Sequence, residues 1–141
     1  MADGRTLTYL VDSGQICTAS SRVYVQKGIA AEFLNAIKQI METLQLGDPL
    51  KPNTQMGPQA DKKQADAVAS YLNLGSKEGT AVVGGKRADG VGENFIQPTV
   101  FTRLSDQSKL NVEEIFGPVM VMHEFDTEEE AVRRANDTEC E

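Results

Sequence analysis

A chain of 141 residues with a formal net charge of -7 has room for one modest domain and no extended basic surface. Its 14 Lys and Arg are outnumbered by 21 Asp and Glu and are scattered, with only pairs such as Lys62-Lys63 and Arg133-Arg134, which excludes the clustered cations that nucleic acid requires. No apolar run is long enough to cross a bilayer, no secretory or transit pattern opens the sequence, and Cys17 and Cys140 make no disulfide framework. No nucleic-acid or membrane partner is therefore expected, and the setting expected is reducing and intracellular, cytoplasmic first with mitochondrial as the alternative.

Residues 1–13 show no clear period. Arg22-Val23-Tyr24-Val25-Gln26 is β-branched and aromatic and predicts a short strand, broken by Gly28. Over residues 30–45 the apolar positions Phe33, Leu34, Ile37, Ile40, Met41 and Leu44 recur at three- and four-residue steps, which predicts an amphipathic helix ended by Gly47. A loop with Pro49 and Pro52 follows. Asp61, with Gln64 three residues on, opens a second helix over residues 61–74, with Val68, Tyr71 and Leu72 on its buried side and Gly75 as its stop.

Residues 80–83 read as a strand, 84–92 as turns, and 95–101 as an extended segment in which Pro98 argues for a sheet edge or an irregular strand. In residues 118–125, Val119, Val121 and Phe125 alternate with Met120 and Met122, so both faces are apolar and the strand belongs between two layers. Thr127 and Glu130 have capping-box spacing at the head of a last helix, whose N-terminus suits the run Glu128-Glu129-Glu130. Strands alternating with amphipathic helices imply an α/β fold, a layered sheet with flanking helices. No repeat or linker divides the chain.

Gly14-Gln15-Ile16-Cys17-Thr18-Ala19 places a thiol among residues small enough to admit a substrate, and the thiolate is the useful nucleophile. Arg22, five residues on, is placed to meet negative charge. Taken alone, such a cysteine is more often an inert packed residue. Glu113-Glu114-Ile115-Phe116-Gly117-Pro118 sets two carboxylates before an aromatic and a rigid turn. A carboxylate can accept hydrogen bonds from ribose hydroxyls, and an aromatic can pack on a flat cofactor ring. A solvated Glu pair beside a core Phe accounts for the same residues. His123 is the one histidine, with no Cys or His at ligand spacing, so no metal site is expected and it reads as a strand residue.

Taken together and in order, these segments resemble the aldehyde dehydrogenase family. Gly14 to Ser20 fit its Gly-Gln-x-Cys signature with small residues following, and Glu114 to Pro118 match its Glu-Ile-Phe-Gly-Pro signature. Leu46-Gly47-Asp48-Pro49, Met56-Gly57-Pro58-Gln59, Phe95-Ile96-Gln97-Pro98-Thr99-Val100 and Ala135-Asn136-Asp137-Thr138 resemble further family segments, and the likeness spans residues 10–139. The resemblance implies that residues 1–141 are a single partial domain, most of a catalytic lobe. The activity it implies is oxidation of a small-molecule aldehyde to a carboxylic acid with NAD or NADP, in a protein that is a homo-oligomer at full length. It implies Cys17 as the nucleophile, carrying a thiohemiacetal and then a thioester. Glu114 matches the acid on the nicotinamide-side ribose, Phe116 the aromatic beside the nicotinamide, and Gln64 a ribose contact, with helix capping as its other role. The backbone N–H of Cys17 is the oxyanion donor these residues offer.

Some family parts are absent from these residues: a general-base Glu from a Glu-Leu-Gly-Gly type segment upstream, the oxyanion Asn, and the dinucleotide-binding domain with its Gly-rich loop. Asp12 stands where Asn is usual and Cys140 where an aromatic is usual. One expectation is an excerpt of a full-length dehydrogenase. The other is a truncated, catalytically inactive product, acting at most as an interaction module or a slow thiol esterase. Marginal stability and exposed apolar patches are also expected.

Overall fold

A strand with apolar side chains on both faces needs cover on both, and residues 119–125 obtain it inside a sheet with a helix on each side. The computed structural model describes residues 8–137, so Cys140 lies outside the described residues. After a 3-10 helix (Thr8–Gly14) come β1 (Arg22–Gln26), α1 (Lys27–Glu42), α2 (Lys62–Glu78), β2 (Thr80–Val83), β3 (Thr99–Thr102), α3 (Lys109–Val112), β4 (Val119–Phe125) and α4 (Glu128–Ala135). The sheet order is β1-β4-β3-β2, with β4 parallel to β1 and β3, and β2 antiparallel to β3. The α/β layering read from the sequence is the observed one.

The core has two halves divided by the sheet. Met120 and Met122 pack with Val25, Val100, Ile37 and Met41 on the α1 side. Val119 and Val121 pack with Phe101, Leu110, Val68 and Leu72 on the α2 side. Each of these fully buried side chains contributes about 1.5–3 kcal/mol of transfer free energy, which makes the sheet the rigid floor on which the loops stand.

Where the elements differ from the sequence reading, the reasons are local. Helix α1 starts at Lys27, directly after β1, and not at residue 30. Its first turn is exposed, so the apolar stripe could not reveal it, and Gly28 lies inside the helix without breaking it. Helix α2 runs through Gly75 to Glu78. A Cβ at Gly75 would come within 2.7 Å of Phe101 and Leu110, so this glycine allows close packing on the sheet and is no stop signal. Pro98 lies just before β3, which is an interior strand and not an edge. Its missing N–H falls outside the ladder, and the first amide of the strand, Thr99 N–H, donates to Pro118 O at 2.9 Å. The 3-10 helix and the four-residue α3 are too short or too irregular to carry a period.

The caps follow the spacing. Asp61 Oδ1 accepts from Gln64 N–H at 2.8 Å, and Thr127 Oγ1 accepts from Glu130 N–H at 3.3 Å. Glu130 closes its box one residue early, on Asp126 N–H at 3.0 Å. Gln64 makes no reciprocal bond to Asp61 N–H among the described residues; its Nε2 donates across to Ile115 O and Phe116 O instead.

Candidate active site

The end of the 3-10 helix turns sharply. Asp12, Ser13 and Gly14 have φ of 49°, 57° and 77°, and the exposed Cys17 follows on the loop they set up. Asp tolerates this left-handed region nearly as well as Asn does, so the departure at Asp12 is structurally mild. Gly14 has no alternative: a Cβ there would overlap the carbonyl of Gly117. The cysteine loop therefore lies backbone to backbone with the Glu-Ile-Phe-Gly-Pro segment.

That second segment is built from the core outward. Ile115 is buried in the α2-side core, and Gly117 packs against Val68 with no room for a side chain. Between them Phe116 has φ 55°, a sparsely populated region for an aromatic residue. Gln64 Nε2 donates to Phe116 O at 2.7 Å and to Ile115 O at 3.3 Å, which pins the turn.

Cys17, Glu114 and Phe116 consequently line one pocket of about 510 Å³, with Ser20, Arg22 and Asn111 also on its wall. Of the four residues singled out in the sequence, three meet here. Gln64 is not on the wall; it stands behind Phe116.

The two adjacent carboxylates have different fates. Glu113 accepts from the Tyr71 hydroxyl at 2.7 Å and pairs with Lys109 at 3.4 Å. The Tyr71 hydrogen bond is the chief reason its carboxyl is held below the usual range, and burial followed by Glu113 pushes the Tyr71 hydroxyl up to about 12. Glu114 makes no ion pair or side-chain hydrogen bond among the described residues, so its oxygens are open to a ligand's hydroxyls. The Cys17 backbone N–H likewise makes no hydrogen bond among the described residues, as an oxyanion donor requires.

His123 takes no part in this site. It is buried on β4, with Nε2 at 2.9 Å from Asn111 Oδ1 and Nδ1 at 3.0 Å from Arg134 Nη2. Arg134 can only donate, so the ring is neutral, accepts at Nδ1 and donates from Nε2. Both nitrogens are committed, which leaves none to serve as a base for Cys17. Tyr24 stacks on the ring at 5.3 Å, and its hydroxyl donates to Arg134 O at 3.1 Å. Among the described residues no group of His, Cys, Asp and Glu is placed to hold a metal ion, and no helix is long and apolar enough to cross a membrane.

Sequence reasoning missed the residues behind the pocket. Gln59 and Ser13, both buried, bond across to each other's segments, and the only signal was the Met-Gly-Pro-Gln segment, read for likeness and not for role. Nothing in the local pattern marks the Asn111–His123–Arg134 network.

The Aldehyde dehydrogenase family model matches residues 2–140. Betaine aldehyde dehydrogenases of Cereibacter sphaeroides and Mesorhizobium japonicum are 44% and 39% identical, over 90% and 96% of this chain and 26% and 29% of their own length. The chain thus spans little more than a quarter of the curated relatives it matches. Among solved structures, the NAD+ complex of a Bacillus cereus aldehyde dehydrogenase superposes with a TM-score of 0.91 at 39% identity, over 96% of this chain and 28% of that one. A Thermus 1-pyrroline-5-carboxylate dehydrogenase with bound NAD superposes with a TM-score of 0.89 at 36% identity, over 97% of this chain and 26% of that one.

Proposed function

The chain belongs to the aldehyde dehydrogenase family, and from that premise we propose that it supplies the nucleophile and part of the nicotinamide site for NAD- or NADP-dependent oxidation of an aldehyde to a carboxylic acid. The observation that carries this reading is the convergence of an exposed thiol, an uncommitted carboxylate and an aromatic on one pocket.

Cys17 Sγ, having given its proton to water, adds as thiolate to the aldehyde carbon to form a thiohemiacetal oxyanion, and the Cys17 N–H donates to that oxygen as charge develops there. Loss of a hydride from that adduct leaves a thioester on Cys17, which water cleaves to the carboxylic acid and the free thiol. The dinucleotide, when bound, supplies the two-electron acceptor. Glu114 fits the ribose hydroxyls because no other group claims its oxygens, and Phe116 fits the face of the nicotinamide ring. Gln64 donates its amide protons to protein carbonyls, so it would meet a ribose through its Oε1 alone.

The test is aldehyde-dependent NADH or NADPH formation, with betaine aldehyde as the first substrate because the relatives named above carry that name. Production that vanishes in Cys17→Ser supports the reading. An unchanged rate in Cys17→Ser sinks it. In Glu114→Gln the KM for the dinucleotide should rise about 10-fold, the worth of roughly 1.4 kcal/mol of charge-assisted hydrogen bonding.

A further inference from the structure

Residues 57–64 touch both loops of the pocket from behind. At one end Ser13 Oγ donates to Gly57 O at 2.8 Å, Gln59 Nε2 donates to Ser13 O at 3.1 Å, and Ala60 N–H donates to Gln15 Oε1 at 2.8 Å. At the other end Gln64 Nε2 donates to Phe116 O and Ile115 O. Between them Asp61 caps α2, so both glutamines sit on or beside the rigid head of one helix. Each holds a residue whose backbone has positive φ, Ser13 and Phe116, a conformation that persists only when its surroundings over-determine it.

Gln59 is 1% exposed, and among the described residues its buried Oε1 has no partner. A methionine would fill similar space without an orphaned acceptor, so burying this amide carries a cost that its bond to Ser13 O offsets.

We propose that Gln59 and Gln64 are positioning residues of a single brace that sets the cysteine loop against the Phe116 turn. Loosening either end disturbs both loops. The inference deepens the function proposed above and rests on its reading of the two loops as one site.

The test compares Gln59→Met, Gln64→Met and Gln64→Glu with wild type, using Gln39→Met on exposed α1 as the control. Hydrogen exchange is read separately for residues 12–19 and 113–118. The rate of Cys17 alkylation by iodoacetamide is read against pH from the mass of the Cys17 peptide, which keeps Cys140 apart. The brace predicts at least threefold faster exchange in both loops for each brace variant. It also predicts an alkylation–pH profile changed at least threefold over part of its range, with β3 and β4 unaltered. Gln64→Glu keeps the size but sets an acceptor against two carbonyls, so it should match or exceed Gln64→Met.

Loosening confined to the bonded loop, or a wild-type profile in Gln64→Glu, overturns the proposal. Should Gln59→Met fail to fold, the half-buried Gln64 decides through exchange at residues 12–19. None of these readouts needs turnover, so coupled loops in a protein that makes no NADH would remove the dehydrogenase reading and keep the brace. Uncoupled loops in an active enzyme would do the reverse.

Discussion

Gly14 shows how much can depend on one missing methyl group. Its φ of 77° favours glycine, and its Cα faces the Gly117 carbonyl with no space for a Cβ. Relief would require moving backbone on both sides of the pocket. Gly14→Ala should therefore lose about 3 kcal/mol of stability in urea unfolding, from left-handed strain plus the displaced loop. A loss below about 1 kcal/mol would mean the two loops are not locked together. At the same scale, His123 gives a pH dependence with a definite sign. Burial, and then the Arg134 cation, hold its imidazole below the ordinary value of 6.5; Asp106 opposes this, and Arg22 adds to it. The unfolded chain therefore takes up a proton at a pH where the folded one does not. The stabilisation is complete above about 6.5 and is lost as pH falls from there through the lower folded value. The melting temperature should drop between about pH 7.5 and pH 5.5, and less so in His123→Phe; parallel drops in the two proteins would remove His123 as the cause.

At the scale of elements, the helices separate what is local from what is not. Asp61 caps α2 through Gln64 N–H, a bond legible from spacing alone, and Asp61→Ala should cost about 1 kcal/mol in a thermal or urea melt. Gly28 sits in the first turn of α1 with nothing within 4 Å of where a methyl group would stand, so Gly28→Ala should raise stability by about 0.5 kcal/mol. Gly75 looks identical in the sequence and behaves in the opposite way, since Phe101 and Leu110 occupy the space a methyl group would need. Both glycines read as punctuation in one dimension. Only the position of the sheet shows that one faces solvent and the other the core. Pro98 follows the same logic, reading as a signal of an edge or an irregular strand yet sitting one residue outside an interior strand, whose pairing with β2 shifts register.

At the scale of the molecule, β1 is an edge strand, and beside it a shallow apolar groove is lined by Val23, Ile29, Phe33 and Phe125. Ile29 is 55% exposed there. An unpaired strand edge beside apolar side chains is a site for association. The purified 141-residue chain should accordingly self-associate with rising concentration in sedimentation experiments, and Ile29→Lys should reduce it. A strict monomer at every concentration would show the edge to be innocuous.

The sequence by itself determined the α/β layering, because periods of two and of three to four residues record which side chains must be buried. It also determined the family, and it singled out Cys17 and the Glu114–Phe116 segment as candidates, because each signature is contiguous along the chain. Tertiary structure alone decided that these segments face one pocket. It alone decided that Gln64 stands behind Phe116, 52 residues away, and that Glu113 and not Glu114 is tied to Tyr71. Which of two adjacent carboxylates stays free, and where an amide spends its protons, depends on the direction of side chains brought together by the sheet. No local period encodes that direction.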